Sequence, residues 1–153
     1  MLDTVTIWTD GSCETRTGEG GWAYLIEVDG KRRRVSGFEA GTTNNRMELT
    51  AAVRALASLE QPSQVRIVTD SQYLKNAFTN RWLANWQRNG WKTAGKQPVK
   101  NRDLWETLLE LTARHKVSWG WTRGHSGHSE NEMVDSLALN ARKARRGVDE
   151  EIQ

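Results

Sequence analysis

The fold class depends first on one stretch near the start of the chain, Thr-Val-Thr-Ile-Trp-Thr-Asp at residues 4–10. β-branched and aromatic residues dominate this stretch, which predicts a strand that ends at its aspartate and at the Gly-Ser pair that follows. Residues 20–28 and 31–41 predict two more strands, because the intervening Asp29-Gly30 suits the turn of a β-hairpin. The chain therefore begins with three consecutive antiparallel strands.

Helices and strands alternate along the rest of the chain. Residues 44–59 contain no glycine or proline and place apolar residues at helical spacing, with Thr42 and Thr43 as capping candidates. The later predicted elements are a strand at 65–69, a helix at 71–79, a short helix within 82–100, a helix at 101–114, a strand at 117–121 and a helix at 129–145. This order predicts an α/β fold with about five strands and with helices packed on the sheet.

The length and composition fit one globular domain. The chain has 153 residues, of which 37% are hydrophobic and 27% charged, and this excludes a disordered or fibrous protein. We expect a single domain over residues 1–145 and a flexible tail over residues 146–153. No apolar run is long enough to span a bilayer and the start has no signal-peptide pattern, so we expect a cytoplasmic protein without a membrane partner.

Basic charge is concentrated in one segment. The formal net charge of the chain is only +3, which is a weak indication of nucleic-acid binding. From Arg81 to Arg102, however, there are six basic residues and no acidic one, interleaved with tryptophans. We interpret residues 82–100 as an insertion that contains a short helix and an extended loop.

Two acidic residues end predicted strands. Asp10 and Asp70 each follow a threonine at the end of an apolar strand. Ligands of open α/β sheets collect at the carboxyl ends of strands, so the two carboxylates can face one crevice. The alternative, that each aspartate only opens a turn or caps the next helix, stays open on this pattern.

Glu48 has a more informative position on its predicted helix. On a helical wheel it lies close to Ala52 and Ala55, whereas Arg46 and Arg54 point the other way, so its carboxylate is on the buried face. A buried carboxylate is costly unless a cation compensates it, and a metal ion is a natural partner. The alternatives are a pair with one buried arginine or a side chain that reaches solvent at the helix start.

Asp135 lies at the edge of the apolar face of the last predicted helix, after a glycine-rich loop over residues 121–128. This loop can bring His125 near the same crevice. A zinc site at His125 and His128 would need more ligands than these two histidines offer. Carboxylates without a Cys or His cluster instead suit Mg²⁺ or Mn²⁺, and two such ions roughly 4 Å apart would suit phosphodiester hydrolysis.

Several motifs carry a family resemblance. They are Thr9-Asp10-Gly11-Ser12, Thr42-Thr43-Asn44-Asn45-Arg46-Met47-Glu48, Thr69-Asp70-Ser71-Gln72-Tyr73, and Gly124-His125-Ser126-Gly127-His128 followed by Asn131, Glu132 and Asp135. With these motifs in this order, the chain resembles bacterial type 1 ribonuclease H over residues 1 to about 145. The resemblance implies a ribonuclease H-like mixed five-stranded sheet, with three antiparallel strands, parallel additions and helices on both faces.

The resemblance also implies an activity and a set of residues. The activity is that of an endoribonuclease that hydrolyses the RNA strand of RNA–DNA hybrids by two-metal-ion catalysis and leaves 5′-phosphate and 3′-hydroxyl ends. The implied ligands of Mg²⁺, or of Mn²⁺ as a substitute, are Asp10, Glu48, Asp70 and Asp135, and His125 would assist product departure. The implied substrate contacts are Asn44, Asn45 and Gln72 at the minor groove and the RNA 2′-hydroxyls, and Thr43 and Asn101 at a phosphate of the DNA strand.

The segment over residues 82–100 corresponds to the basic protrusion of this family. Its cations can neutralise phosphates while its tryptophans contact sugar or base surface. The substrate contacts expected here are Trp82, Trp86, Arg88 and Lys92. The alternative is that tryptophans of this region belong to the core, which we favour for Trp105 and leave open for Trp91.

Some positions depart from the family pattern. Arg16 replaces the usual asparagine of the loop after the first strand, so the RNA-backbone contact that the family makes there does not carry over to this chain. Gln87 and Asn89 stand where cations are frequent, so we expect weaker hybrid binding than in relatives. Two other functions compete with the favoured one: a DNA-acting nuclease of the same broad fold, and a non-catalytic hybrid-binding module. The polar set around Asn44 counts against the first, and the presence of all the acids counts against the second. We expect a monomer.

Overall fold

The computed structural model describes residues 3–122 and 129–152. Its strands are β1 (Asp3–Glu14), β2 (Glu19–Val28), β3 (Lys31–Glu39), β4 (Ser63–Thr69), β5 (Lys116–Trp121) and β6 (Asp149–Ile152). Its helices are α1 (Asn44–Ala57), α2 (Gln72–Thr79), α3 (Trp82–Asn89), α4 (Arg102–Arg114) and α5 (Ser129–Ala144). Within the two described ranges, no helix is long and apolar enough to cross a membrane.

The strands form one mixed sheet in the order β5-β4-β1-β2-β3-β6. β1, β2 and β3 are antiparallel neighbours, whereas β4 and β5 are added in parallel beside β1. Asp29 and Gly30 turn the hairpin between β2 and β3 with φ values of 53° and 77°, which are the positive values that a type I′ turn requires. The predicted α/β class and mixed sheet are therefore confirmed.

β1 is longer than the predicted strand. It pairs with β2 as far as Glu14, whereas its parallel pairing with β4 ends where Trp8 lies opposite Val68. Asp10 therefore lies inside β1, just beyond the point at which β1 and β4 separate, and not at the end of the strand. Asp70 directly follows β4, so the two carboxylates border the gap between the separating strands.

The sheet also has a sixth strand, where the sequence predicted a flexible tail over residues 146–153. β6 pairs antiparallel with β3, so that Glu151 lies opposite Arg33 and Glu150 opposite Arg34. Both acidic side chains form ion pairs with the arginines that face them. The predicted count of five strands was wrong because acidic residues have low β propensity and the arginines that pair with them lie on a distant segment.

Helices cover both faces of the sheet, as predicted. α1 packs on the face that carries Ile7 and Ile67, and α5 packs on the opposite face against Ala23 and Leu25. All of these side chains are completely buried. Because each fully buried Leu or Ile contributes roughly 1.5–3 kcal/mol, this packing fixes the positions of β1 and α1, the two elements that carry Asp10 and Glu48.

Candidate active site

Three carboxylates converge where β1 and β4 separate. Asp10, Glu48 and Asp70 each offer an oxygen atom, and these oxygens all lie within 4.8 Å of one another. Asp135 of α5 adds a fourth carboxylate, because it lines the same cleft and lies near enough to Asp10 to raise the pKa of that side chain. The structure therefore brings together the four acidic residues that the sequence analysis singled out.

The close approach of α1 to β1 depends on a glycine. A Cβ atom on Gly11 would lie 2.5 Å from the backbone nitrogen of Glu48 and 2.6 Å from the backbone carbon of Met47. Real Cβ atoms do not approach backbone this closely, so any other residue at this position would push the helix outward. The absence of a side chain at Gly11 thus lets Glu48 reach Asp10.

Two neutral donors hold the Glu48 carboxylate. The hydroxyl of Ser71 donates to one carboxylate oxygen, and the side-chain amide of Asn44 donates to the other at 3.3 Å. Ser71 also caps α2 by accepting from the backbone N–H of Leu74 at 3.1 Å. Within residues 3–122 and 129–152, no ion pair involves Glu48, so none of the arginines in these ranges is its partner.

Burial and like charges shift the protonation of this site. Burial raises the pKa of Asp10 from 3.8 to about 8, and the neighbouring carboxylates of Asp70 and Asp135 act in the same direction against the backbone N–H of Gly11. Burial also raises the pKa of Glu48, although the hydrogen bond from Ser71 opposes the shift. Ionisation of these carboxylates together therefore lowers the free energy of unfolding.

The donor set fits a hard divalent cation. It consists of carboxylate oxygens alone, and Mg²⁺ and Mn²⁺ prefer such oxygen ligands. In the part of the chain that the structure describes, neither Asp10 nor Glu48 has a lysine or arginine ion pair. A bound divalent ion would thus supply the positive charge that the buried Asp10 and the half-buried Glu48 need.

Only some of the predicted substrate-contact residues line the acidic cleft. Asn44, Asn45 and Gln72 line the cleft with the acids and are exposed. Thr43 instead caps α1, where its hydroxyl accepts from Arg46 N at 3.1 Å, as its sequence position predicted. His125 lies outside the described residues.

Asn101 does not line the cleft either. It is the residue before α4 and has a positive φ of 62°, and its side chain contacts Arg46 and Tyr73. This position makes Asn101 part of a hydrogen-bonded link between α1 and α4. The exposed turn after β1 carries Arg16, whose side chain is 88% exposed and pairs with Glu14 at 3.7 Å.

The tryptophan-rich segment forms a separate surface on α3 and the loop that follows it. The hollow on this surface is lined by Trp82, Asn85, Trp86, Arg88, Asn89, Lys92, Thr93 and Ala94. Trp105 is completely buried and Trp91 is 8% exposed, so both belong to the core. Trp82 and Trp86 are half-buried, pack with ring centroids 5.9 Å apart, and still reach the hollow.

Two residues of the site were missed by sequence reasoning. Tyr73 and Thr122 line the acidic cleft, and neither was singled out as a functional residue. Tyr73 directly follows Gln72 in the motif at residues 69–73, and this adjacency was the only indication in the sequence that it lines the cleft. Thr122 follows β5, whose carboxyl end lies at the same edge of the sheet as that of β4.

The mixed sheet, the helices on both faces and the acidic cleft define an α/β protein with a carboxylate-lined site beside its central strands. The profile of the RNase H family matches residues 3–143. A ribonuclease H of Nitratidesulfovibrio vulgaris is 56% identical over 147 residues, which cover 96% of this chain and 94% of the relative. The chain therefore belongs to the RNase H family and is a nuclease.

Two further comparisons agree with this assignment. A ribonuclease H of Methylococcus capsulatus is 53% identical over 150 residues, which cover 98% of this chain and 92% of the relative. The crystal structure of LC9-RNase H1, described as a type 1 RNase H with the type 2 active-site motif, superposes with a TM-score of 0.83. That match has 29% identity and covers 100% of this chain and 78% of that one.

Proposed function

We propose that this protein is an endoribonuclease that hydrolyses the RNA strand of RNA–DNA hybrids by two-metal-ion catalysis, leaving 5′-phosphate and 3′-hydroxyl ends. The observation that carries the proposal is the group of Asp10, Glu48 and Asp70 oxygens within 4.8 Å of one another on an RNase H fold. Asp135 would complete the ligand set for Mg²⁺ or Mn²⁺. A metal ion held there would activate a water molecule and stabilise negative charge on the phosphate.

The chain's own residues would orient this centre. Ser71 and Asn44 fix the two oxygens of Glu48, which leaves the carboxylate little freedom to turn away from Asp10. The raised pKa of Asp10 means that metal binding must displace a proton from it at neutral pH. His125, which lies between β5 and α5 in the sequence, would assist the departure of the product.

The rim of the cleft would recognise the hybrid. Asn44, Asn45 and Gln72 are exposed amides next to the carboxylates, and amides can both donate to and accept from a ribose 2′-hydroxyl. This hydroxyl distinguishes RNA from DNA, so the amides would restrict cleavage to the RNA strand. The DNA strand would lie toward Thr43 and Asn101 and toward the hollow of α3.

The hollow of α3 suits the backbone of the second strand. Arg88 and Lys92 offer positive charge at its rim, and Trp82 and Trp86 offer flat apolar surface. Cations that face phosphates release counterions and supply affinity without reading sequence. The protrusion would thus hold the DNA strand while the acidic cleft cuts the RNA strand.

One gel tests the proposed function. Purified protein is incubated with an end-labelled RNA–DNA hybrid, double-stranded RNA or double-stranded DNA, in Mg²⁺ or in EDTA. We expect cleavage of the hybrid alone, confined to its RNA strand and abolished by EDTA. Equal cutting of double-stranded DNA would indicate a DNA-acting nuclease, and hybrid binding without cleavage would indicate a binding module.

A further inference from the structure

Asp135 is the outer member of the four proposed metal ligands. The oxygens that lie within 4.8 Å of one another belong to Asp10, Glu48 and Asp70. Asp135 lines the same cleft from α5 and is exposed, whereas Asp10 is buried. How closely Asp135 approaches the other carboxylates therefore depends on where the first half of α5 lies.

The two halves of α5 are held in different ways. Val134 and Ala138 are buried, and a Cβ atom on Gly21 would lie 2.1 Å from Ala138 O, so the helix packs closely on β2 from Val134 onward. None of the residues 129–132 is buried. Polar contacts, rather than apolar packing, hold this first turn, which precedes Asp135.

Thr122 makes one of these polar contacts and is itself fixed to the sheet. The side-chain amide of Asn131 donates to the hydroxyl oxygen of Thr122 at 3.1 Å. The backbone N–H of Thr122 donates to Thr69 O at 3.0 Å, which continues the pairing of β5 with β4 beyond the end of β5. Thr122 therefore has its backbone tied to β4 and its side chain tied to α5.

Both partners of Thr122 lie next to a proposed metal ligand. Thr69 directly precedes Asp70 in the chain. Asn131 precedes Asp135 by four residues, and side chains four apart lie on the same face of a helix. A single residue thus joins the position of Asp70, after β4, to the position of Asp135, on α5.

We propose that Thr122 is a positioning residue that sets the separation of Asp70 and Asp135, so that one divalent-metal site can use both carboxylates. The proposal rests on the proposed function, which places the metal in this cleft. Like charges repel each other when no cation lies between them, and this repulsion would drive Asp135 outward. The hydrogen bond from Asn131 opposes the repulsion, so Asp135 is in place before a cation binds, which favours binding.

The test replaces Thr122 by valine, which has nearly the same shape but no hydroxyl group. The backbone N–H remains, so the bond to Thr69 is kept and only the bond from Asn131 is lost. Mg²⁺ affinity is measured by NMR titration of the protein alone, without nucleic acid. We expect Thr122→Val to weaken Mg²⁺ binding by about three- to tenfold, the range of one net hydrogen bond, and Thr122→Ser to stay within about twofold of the wild type.

Thr112→Val is the matched control. Thr112 lies in α4 and does not line the cleft, and its hydroxyl donates to Leu109 O at 3.0 Å. The same chemical change at this position should leave Mg²⁺ affinity unchanged. Equal losses in Thr122→Val and Thr112→Val would overturn the proposal, and so would unchanged affinity in Thr122→Val.

A second variant tests whether Thr122 acts through Asn131. Asn131→Ala removes the donor of the hydrogen bond and keeps Thr122. Because both substitutions break the same bond, the double variant should bind Mg²⁺ about as well as the more affected single variant. Losses that multiply in the double variant would show that the two residues act independently, and would overturn the proposal.

Hybrid binding and turnover separate positioning from other roles of Thr122. In EDTA, Thr122→Val should bind the hybrid within about twofold of the wild type, because Thr122 acts through Asn131 and not through contact with nucleic acid. The Mg²⁺ concentration that gives half-maximal cleavage should rise by the same factor as the Mg²⁺ dissociation constant, and turnover should recover at saturating Mg²⁺. A hybrid affinity that falls more than the Mg²⁺ affinity would make Thr122 a substrate contact and overturn the proposal. Wild-type protein that binds Mg²⁺ but does not cut the hybrid would contradict the proposed activity and leave the Mg²⁺ measurements valid.

Discussion

Acidic residues cluster in two regions of this molecule, and the two clusters differ in exposure to solvent and in the charge of their neighbours. In the cleft, Asp10 is 8% exposed and lies beside other carboxylates. On the edge formed by β3 and β6, the side chains of Asp149 and Glu150 are 61% and 46% exposed and each binds an arginine. Residue type alone does not distinguish the clusters, whereas burial and the sign of the neighbouring charge do.

The comparison shows how a proposed functional cluster differs energetically from a structural one. Carboxylates at the edge lower the free energy of the folded chain slightly, since each forms an ion pair with an arginine of β3. Carboxylates in the cleft raise it, since burial and mutual repulsion both oppose ionisation. An arrangement that costs stability persists where it serves an activity.

The largest expected difference between the clusters is in catalysis. Asp10→Asn should reduce hybrid cleavage by at least about 10³-fold, because it removes a proposed metal ligand while keeping the shape of the side chain. Asp149→Asn makes the same chemical change at the edge formed by β3 and β6, here called the paired edge, and should leave the turnover number unchanged. Equal losses in the two variants, measured as kcat on one hybrid, would contradict the assignment of the cleft.

A second prediction concerns the backbone of the paired edge. A Cβ atom on Gly147 would lie 1.8 Å from Ser36 O, so Gly147→Ala should force β6 away from β3. We expect a loss of about 1–3 kcal/mol in the free energy of unfolding, with cleavage unchanged. Chemical denaturation measures the loss, and faster hydrogen exchange at Ser36 N, which donates to Val148 O at 2.8 Å, locates it.

Gly95→Ala is the matched control for this substitution. A Cβ atom there would meet only the Thr93 hydroxyl, at 3.9 Å. Its free energy of unfolding should therefore change by less than about 0.5 kcal/mol, the usual range for an unconstrained surface position. A similar loss in the two alanine variants would show that Gly147 is not needed for close approach of the strands.

Sequence patterns predicted the acidic cleft better than the paired edge, and the reason is physical. Asp10 and Asp70 each end an apolar run in the sequence and Glu48 lies on an apolar helical face, so the pattern indicated that the three carboxylates could share one crevice, while turn or cap roles stayed open for the aspartates. β6 has no such pattern: its acidic residues pair with Arg33 and Arg34 of β3, which lie more than 100 positions away in the sequence. Pairing between distant segments leaves no periodic signal in either segment.

The hydrogen-bonded surroundings of the site were unpredictable for a related reason. The position of Ser71 before α2 is typical of a helix cap, but its second hydrogen bond, which it donates to Glu48, depends on how α1 and α2 pack. The link from Asn101 to Tyr73 likewise joins residues 28 positions apart. The family resemblance, confirmed by the RNase H profile, supplied the substrate, which no pattern of spacing or composition indicated.

A third prediction uses the stability cost of the cleft. An unfolded Asp10 ionises near pH 4, whereas in the folded chain its pKa is about 8. Between these values the folded state holds a proton that the unfolded chain has released. The contribution of Asp10 to stability is therefore fully present below about pH 4 and is lost as the pH rises toward 8.

Asp10→Asn should remove this pH dependence. In EDTA at pH 8, we expect the variant to be more stable than the wild type by about 1 kcal/mol or more, with the difference shrinking toward pH 4. Mg²⁺ should then raise the melting temperature of the wild type more than that of the variant, through linkage to binding. A variant that melts below the wild type in EDTA at pH 8 would contradict a shared carboxylate site.

The smallest expected effect is at the paired edge, where one charge is removed and the side-chain shape is kept. Glu150→Gln breaks the ion pair with Arg34, whose side chain is 35% exposed. Exposed pairs contribute about 0.2–1 kcal/mol and are screened by salt, so the free energy of unfolding should fall by that amount at low ionic strength and by less in 1 M NaCl. The sign is opposite to that of Asp10→Asn, although both substitutions turn a carboxylate into an amide. Urea denaturation of both variants at pH 8 in EDTA measures the two signs side by side. If Glu150→Gln stabilised the protein as Asp10→Asn should, the gain would come from lowering total negative charge, and the distinction between a paired edge and an unpaired cleft would fail.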